Sequence, residues 1–211
     1  MNEIENILKR VRDTKALEFG VGAMKKIPAM FDSLFPGKTA VVVADKITYE
    51  IAGKTVHGYL EDAGINTGQP FVFTDPGLYA EWSYLEQLES YLKERDVIAV
   101  AVGLGVINDL TKLASYHLGR RYIIVGTAAS MDGYTSYGAS VTYHGNKQTF
   151  DCPAPLGMVM DPAVAAKAPA GITASGYGDL IAKIPSGADW MIADAVGSES
   201  IDPFAFSLVQ K

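Results

Sequence analysis

The sequence is short of cysteine and histidine. Cys152 is the single cysteine among 211 residues, so no disulfide can form within one chain, which fits a reducing cytoplasm. The secondary-structure pattern puts two of the three histidines on helices and one in a hairpin turn, and we interpret all three as surface or packing residues. The single cysteine therefore excludes a scaffold that is stabilised by disulfide bonds within the chain. The histidines are His57, His117 and His144.

Basic residues and long apolar runs are also scarce. The 18 lysines and arginines face 24 acidic residues, which gives a net charge of −6, and no basic block favours a nucleic-acid partner. No apolar run approaches membrane-spanning length, and the amino terminus MNEIENILKRV is charged throughout and lacks a signal-peptide core. These absences predict a globular, cytoplasmic protein with no membrane span.

Apolar runs of strand length alternate with segments of helical period along most of the chain. With 48% hydrophobic residues, the chain can bury a sizeable core. The alternation predicts an α/β fold with a doubly wound, mostly parallel sheet that helices cover on both faces. The predicted strands are residues 39–44, 71–74, 97–102, 122–125 and 157–160, and the predicted helices between them are residues 47–63, 79–95 and 106–118.

Other segments depart from this alternation. Residues 3–12 have helical spacing, and residues 19–35 predict a helix that is broken near Pro28. Residues 139–150 predict a β-hairpin, because two short strands flank a turn that contains glycine and asparagine.

The character of the sequence changes at Asp161-Pro162. This pair closes the last predicted strand, and the following segments are helical and rich in alanine. We therefore predict a dinucleotide-binding α/β domain at residues 1–162 and the beginning of an all-helical domain at residues 163–211. The predicted helices of the second part are residues 163–168, 171–185 and 187–197.

A glycine turn joins the strand at residues 97–102 to the helix at residues 106–118. Gly103 and Gly105 allow a tight turn there, and the exposed N–H groups of the first helical turn favour a phosphate or pyrophosphate. The dinucleotide-binding fingerprint requires a third glycine where this sequence has Asn108. The alternative is an ordinary turn whose glycines serve only backbone conformation, and the spacing alone leaves both interpretations open.

Two further strand ends carry polar residues. After the strand at residues 122–125, small and hydroxyl residues run from Thr127 to Asp132. Two adjacent turns of this kind predict a ligand crevice at the carboxyl edge of the sheet. Asp45 follows an earlier strand, where it could accept a hydrogen bond from a ribose hydroxyl or cap the next helix together with Thr48; both remain open.

Four segments carry a resemblance to a known family: GLGVINDLTKLASYHLG, GTAASMDGYTSYGAS, KQTFDCPAPLGMVMD and ASGYGDLIAKIPSGADWMIADAVG. In this order and spacing they resemble the sn-glycerol-1-phosphate dehydrogenase family, which belongs to the metal-dependent group of glycerol dehydrogenase and dehydroquinate synthase. The resemblance runs from about Val41 to the carboxyl terminus. Leu104 departs from it, because the family has a small residue there. Family members are also longer, which implies that the helical domain with two histidine metal ligands is incomplete here.

The resemblance implies NAD or NADP and a divalent metal, Zn or Ni, as cofactors. It implies that Asp179 binds the metal and acts in catalysis, and that Asp132 and Asp179 contact a small phosphorylated triose or glycerol substrate. The cofactor-binding residues that it implies are Asp45, Gly105, Val106, Ile107, Asn108, Asp109, Thr127, Ala128, Ala129, Ser130 and Ser136.

Without the resemblance, Asp179 would be interpreted as a solvated or capping acid, because single carboxylates on helices are common. Lys183 follows one turn later, where it could neutralise Asp179 or reach a phosphate. An exposed ion pair between Asp179 and Lys183 is the simpler explanation of the spacing, so Lys183 is left out of the predicted site.

The resemblance implies an NAD(P)-dependent oxidoreductase that interconverts sn-glycerol 1-phosphate and dihydroxyacetone phosphate in phospholipid biosynthesis. A glycerol dehydrogenase-like polyol oxidoreductase is the nearest alternative, because fold and cofactor would be shared. A nucleotide-binding fragment without catalysis is the third interpretation, and we expect the 211-residue chain by itself to be inactive. A homo-oligomer is left open.

Overall fold

The computed structural model describes residues 3–210. Its strands are Ala16–Phe19 (β1), Thr39–Asp45 (β2), Phe71–Phe73 (β3), Val97–Gly103 (β4), Ile123–Gly126 (β5), Ala139–Tyr143 (β6), Asn146–Phe150 (β7) and Gly157–Met160 (β8). Six of them form one sheet in the order β1-β8-β5-β4-β2-β3, in which every neighbouring pair is parallel. β6 and β7 form a separate antiparallel hairpin. The predicted doubly wound, mostly parallel α/β fold is confirmed.

Ten α-helices accompany the strands within the described residues. They are Glu3–Leu8 (α1), Ile27–Leu34 (α2), Lys46–Thr48 (α3), Lys54–Asp62 (α4), Trp82–Lys93 (α5), Gly105–His117 (α6), Pro162–Ala165 (α7), Ala170–Ile181 (α8), Lys183–Ala195 (α9) and Pro203–Val209 (α10). A π-helical turn at Tyr49–Gly53 joins α3 to α4. Across residues 3–210, no helix combines the length and apolar character that crossing a membrane requires.

Helices cover the sheet on both faces, and alternate residues of each strand face opposite helical layers. Leu85 of α5 and Leu110 of α6 belong to one buried cluster. Phe31 of α2 and Leu60 of α4 belong to the other. The helices that follow the neighbouring strands β2 and β4 therefore lie on opposite faces. The carboxyl ends of β2 and β4 thus form a topological switch point, where open α/β sheets bind ligands.

The predicted helix over residues 19–35 is wrong in its first part. Phe19 ends strand β1, which pairs in parallel with β8, and a 3-10 turn at Ala23–Lys26 precedes α2. β1 has only four residues and takes its hydrogen bonds from a strand near the other end of the fold. Local periodicity could not indicate such a strand, because its partner is supplied by tertiary structure.

The helical segment after Pro162 also differs from its prediction. The second and third helices meet at Ala182, earlier than predicted, and α10 was not predicted. A signal for α10 was present in the sequence. The side chain of Asp202 accepts hydrogen bonds from the N–H groups of Phe204 and Ala205, and Pro203 occupies the first helical position.

Cys152 is fully buried, and its Sγ donates a hydrogen bond to the Phe150 carbonyl oxygen. Burial raises the pKa of the thiol to about 11, so about one thiol in a thousand is ionised at pH 8. Because the thiolate is the reactive form, a thiol-specific reagent should label the native protein at least about 100-fold more slowly than the urea-unfolded protein. Equal rates in the two states would contradict this placement of Cys152.

Candidate functional site

Three strand ends meet at the carboxyl edge of the sheet. Gly103, the last residue of β4, is in register with Gly126, the last residue of β5. Asp45 ends β2 on the other side of β4. The predicted crevice residues at these strand ends therefore share one edge, and the switch point lies between two of them.

The backbone at the start of α6 has a geometry that suits an anion. Leu104 occupies the N-cap position, offers no side-chain cap and has no acidic residue in the turn that follows it. The first hydrogen bond of the helix runs from the Asn108 N–H to the Leu104 carbonyl oxygen at 2.9 Å. The N–H groups of Gly105, Val106 and Ile107 precede that bond, so the helix leaves them for an external acceptor.

Gly103 allows α6 to begin this close to the sheet. A Cβ atom on Gly103 would lie 2.8 Å from Cβ of Ile107, which is buried in the core. A side chain at this position would therefore push the first turn of the helix away from β4. The glycine that the sequence suggested for turn conformation is also required for helix packing.

Asp45 is a helix cap. Its Oδ1 accepts hydrogen bonds from Ile47 N at 2.8 Å and from Thr48 N at 2.9 Å, and Thr48 Oγ1 accepts one from Asp45 N at 3.2 Å. This is the capping alternative that the sequence left open. One carboxylate oxygen is used in the cap, so a ribose contact would depend on Oδ2.

Asn108 and Asp109 do not present their side chains as the sequence suggested. Asn108 is fully buried: its Nδ2 donates to the Tyr134 carbonyl oxygen at 3.2 Å, and its Oδ1 accepts from the Tyr122 hydroxyl at 2.7 Å. Asp109 Oδ2 accepts from Ser140 N at 3.3 Å. The side-chain polar groups of both residues have protein partners, and the cofactor contact of Asn108 and Asp109 stays a prediction.

Lys112 was missed by sequence reasoning. Its side chain is fully buried, and its Nζ donates to the carbonyl oxygens of Ser136 at 3.0 Å and Gly138 at 2.8 Å. Nζ also lies 3.8 Å from Asp109 Oδ1. Burial raises the pKa of Asp109 and lowers the pKa of Lys112, and each charge partly offsets the shift of the other. The available signal was an aspartate and a lysine three residues apart on the core side of an amphipathic helix.

The turn after β5 is held by Tyr134. Its hydroxyl donates to the Ala128 carbonyl oxygen at 2.7 Å and lies 3.3 Å from Ser130 Oγ. Thr127 N donates to the Gly103 carbonyl oxygen at 3.3 Å, which joins this turn to the end of β4. Thr127 to Ser130 therefore lie beside the start of α6, as the crevice prediction requires. The Ala129 carbonyl oxygen also lies against Gly176 of α8.

Asp132, Asp179 and Lys183 form one polar cluster. Asp179 Oδ2 accepts a hydrogen bond from Asp132 N at 2.9 Å, and Lys183 Nζ lies 3.0 Å from Asp132 Oδ2. The Asp132 N–H holds the pKa of the Asp179 carboxyl below its usual value, and the Lys183 charge adds to this effect. The sequence interpretation of Lys183 is corrected: its ion-pair partner is Asp132, across the contact between α9 and the turn.

The donor set near Asp179 does not by itself complete a metal centre. Within residues 3–210, no three histidine, cysteine or carboxylate side chains are grouped so that they could hold a metal ion. His57 lies 3.3 Å from Glu61, and His117 lies 2.6 Å from Glu89, so both face other parts of the fold. A catalytic zinc site needs three protein ligands, and the possible ligands in this cluster are its carboxylates alone.

Two well-formed grooves lie elsewhere on the fold. A groove of about 690 Å³ runs between α2 and α4, and an apolar groove of about 370 Å³ lies beside α1. Neither is lined by the strand-end residues. The features that mark the crevice are its free N–H groups and the strand topology, and not a large cavity.

Comparison with known proteins finds a matching family model and named relatives. A family model described as iron-containing alcohol dehydrogenase matches residues 18–169. The chain is 37% identical over 173 residues to a protein from Halalkalibacterium halodurans named glycerol-1-phosphate dehydrogenase [NAD(P)+], covering 80% of this chain and 43% of that protein. It is 33% identical over 189 residues to a protein of the same name from Methanosarcina mazei, covering 90% and 52%. The chain thus spans about half the length of these curated relatives, or less.

Solved structures show the same fold. A probable glycerol dehydrogenase from Sinorhizobium meliloti aligns with a TM-score of 0.68 at 25% identity, covering 81% of this chain and 45% of that one. A 2-deoxy-scyllo-inosose synthase, solved with carbaglucose-6-phosphate, NAD+ and Co2+, aligns with a TM-score of 0.66 at 18% identity, covering 79% and 49%. The second likeness is evidence for the fold alone.

Gly176 lets α8 pack on the turn after β5. A Cβ atom on Gly176 would lie 2.0 Å from the Ala129 carbonyl oxygen, whereas one on Gly178 would meet nothing within 4 Å. Gly176→Ala should displace α8, break the contact between Asp132 N and Asp179, and lower the free energy of unfolding by about 1–3 kcal/mol. Gly178→Ala, on the same helix, should leave it unchanged or raise it by up to about 1 kcal/mol.

Urea unfolding of both variants tests this contact. Equal stabilities for Gly176→Ala and Gly178→Ala would show that α8 does not rest on the backbone of the turn.

Proposed function

Because the chain belongs to the iron-containing alcohol dehydrogenase family, we propose that it carries the dinucleotide-binding part of an NAD(P)-dependent oxidoreductase. Sn-glycerol 1-phosphate and dihydroxyacetone phosphate are the proposed substrate pair, after the names of the relatives. The observation that carries the proposal is the uncapped start of α6 at the switch point of the sheet. A free helix start at that place suits the pyrophosphate of a dinucleotide.

The residues at the crevice fit a nicotinamide dinucleotide. Gly105, Val106 and Ile107 would bind the pyrophosphate through backbone N–H groups, and the turn from Thr127 to Ser130 would line the neighbouring part of the cofactor. NAD(P) bound there would supply or accept the hydride at its nicotinamide ring. Asp45 Oδ2 would contact the ribose, and the choice between NAD and NADP stays open.

The cluster around Asp132 supports a phosphorylated substrate. The Asp132 carboxylate can accept a hydrogen bond from a substrate hydroxyl, and Lys183 places an ammonium group 3.0 Å from that carboxylate. Ser136 lies on the same segment, and its hydroxyl, which now donates to the Gly133 carbonyl oxygen at 2.8 Å, could turn toward a ligand. An ammonium group beside the substrate end favours a phosphate-bearing alcohol over a free polyol.

A divalent metal, Zn or Ni, is consistent with the family, and Asp179 is its proposed ligand. The described residues do not complete the ligand set, so their part would be to bind the cofactor, orient the substrate and offer Asp179 as one ligand. The backbone N–H of Asp132 and the charge of Lys183 both favour the ionised form of Asp179. Asp179 is therefore ready to bind a cation without first losing a proton.

The donor set also supports a second candidate function, a nucleotide-binding module without turnover. The metal-dependent reaction needs more ligands than Asp179, and the described residues contain no group of three ligands. A polyol oxidoreductase is the third candidate, and Lys183 argues against it. The domain boundary after residue 162, a homo-oligomeric state and a cytoplasmic location stay predictions.

Val106→Asp tests the dinucleotide site. Val106 lies in the first turn of α6, where a carboxylate would bind the free N–H groups and repel pyrophosphate. NADH and NADPH should bind at least about tenfold more weakly to this variant in calorimetric titrations. Val106→Asn, which has similar size and no charge, should bind close to wild type. Equal losses for the two variants would show that charge at the helix start does not matter.

A turnover assay separates the enzyme from the binding module. We expect the 211-residue chain to bind a dinucleotide but to show no sustained reduction of dihydroxyacetone phosphate by NADH, with Zn²⁺ or Ni²⁺ added. The reason is the incomplete donor set around Asp179, and nicotinamide absorbance is the measurement. Turnover that Asp179→Asn abolishes would contradict the module. Turnover that survives Asp179→Asn would remove this residue from the reaction.

A further inference from the structure

One side of α6 makes successive hydrogen bonds to the segment at residues 134–140. Asn108 Nδ2 donates to the Tyr134 carbonyl oxygen, and Lys112 Nζ donates to the carbonyl oxygens of Ser136 and Gly138. The series ends where Asp109 accepts from the N–H of Ser140. Three neighbouring side chains of one helix therefore fix the backbone at every second residue of this segment.

The segment has little regular structure of its own. Its first part is a 3-10 turn at Gly133–Thr135, which Ser136 N closes by donating to the Gly133 carbonyl oxygen at 3.1 Å. The next backbone bond runs from Gly138 N to the Cys152 carbonyl oxygen at 2.8 Å, before strand β6 begins. Lys112 is the hydrogen-bond donor that the described residues provide for the carbonyl groups of Ser136 and Gly138.

A buried lysine is a costly way to fill a core position. Lys112 loses the hydration of its ammonium group, and Asp109 at 3.8 Å returns part of that loss. An apolar side chain of similar length would fill the same space without a desolvation penalty, so core packing alone does not explain Lys112. Its distinctive contribution is a set of hydrogen-bond donors that only this segment uses.

The segment that Lys112 holds contains two residues of the proposed site. Asp132 lies just before the 3-10 turn and Ser136 just after it, and the carbonyl of Ser136 is itself an acceptor of Lys112. The same helix presents its free N–H groups at Gly105, Val106 and Ile107. One rigid helix therefore bears both the proposed phosphate contacts and the support of the substrate end.

We propose that Lys112 is a positioning residue that fixes the segment bearing Asp132 and Ser136 at a set distance from the phosphate-binding start of α6. This inference rests on the proposed dinucleotide site. Lys112 would touch neither cofactor nor substrate, and it would act through the two carbonyl groups that it binds. Hydride transfer requires the nicotinamide to lie beside the substrate, so the loss of Lys112 should impair recognition of the nicotinamide end of the cofactor and spare the phosphate end.

Lys112→Met tests the proposal in the 211-residue chain. Methionine keeps the length and the apolar stem of the lysine and removes its donors. Hydrogen exchange at the amides of Gly138 and Ser140 should become at least about tenfold faster, because the backbone there loses its anchor. The affinity for ADP, which carries the phosphates without the nicotinamide, should stay within about twofold, and the affinity for NADH should fall at least about tenfold.

Thr111→Val is the matched control. Thr111 is fully buried on the same helix, and its Oγ1 has no hydrogen-bond partner in the part of the chain that the structure describes. Valine has nearly the same shape, so exchange and both affinities should stay at wild-type values. If Lys112→Met does not fold, as judged by circular dichroism, Lys112→Gln retains one donor group and should show the same changes at smaller size.

Each outcome decides between the proposals. Unchanged exchange at Gly138 and Ser140 would overturn the positioning role, as would equal losses of ADP and NADH affinity or an unchanged NADH affinity. If wild type binds neither ADP nor NADH, the proposed function fails. The exchange comparison then still decides whether Lys112 holds the segment.

Discussion

The hydrogen bonds from the buried Lys112 ammonium to two backbone carbonyls are the constraint on which the candidate site depends. They attach an irregular segment to a helix that the parallel sheet holds in place. Asn108 and Asp109 of the same helix bind the two ends of this segment, at Tyr134 and Ser140, and Lys112 binds the residues between them. Helix α6 therefore contributes to the site in two ways. Its first backbone N–H groups face the crevice, and its buried side chains hold the segment at residues 134–140.

The stability of this region and its proposed chemistry draw on the same contacts. Gly176 allows α8 to touch the backbone of the turn, which places Asp179 at the N–H of Asp132. The ion pair between Lys183 and Asp132 crosses the same contact and is half-exposed, so solvent screens it and it contributes little to stability. The contribution of this ion pair is to place opposite charges where the proposed phosphorylated substrate would be oriented.

Much of the fold was predictable because its strands are buried on both faces. The apolar runs that became β2, β4 and β5 required no partner information, and the glycine turn after β4 was read from spacing alone. β1 was not predictable, since its four residues become a strand only by pairing with β8. The site divides in the same way: the strand-end residues stay predictions from the sequence, whereas Lys112 was missed and Lys183 was paired with Asp179. Lys112 binds two backbone carbonyl groups and Lys183 pairs with the Asp132 carboxylate, and these partners lie distant in sequence.

The sequence by itself determined the α/β class, the family and the set of strand-end residues, because burial pattern, glycine spacing and local motifs are encoded along the chain. Tertiary structure decided which polar groups remain free. The side chains of Asn108 and Asp109 bind the segment at residues 134–140, one carboxylate oxygen of Asp45 caps a helix, and Lys183 pairs with Asp132. The physical reason is that most polar groups gain free energy by taking a hydrogen-bond or ion-pair partner, and only the packed chain shows which partner is within reach.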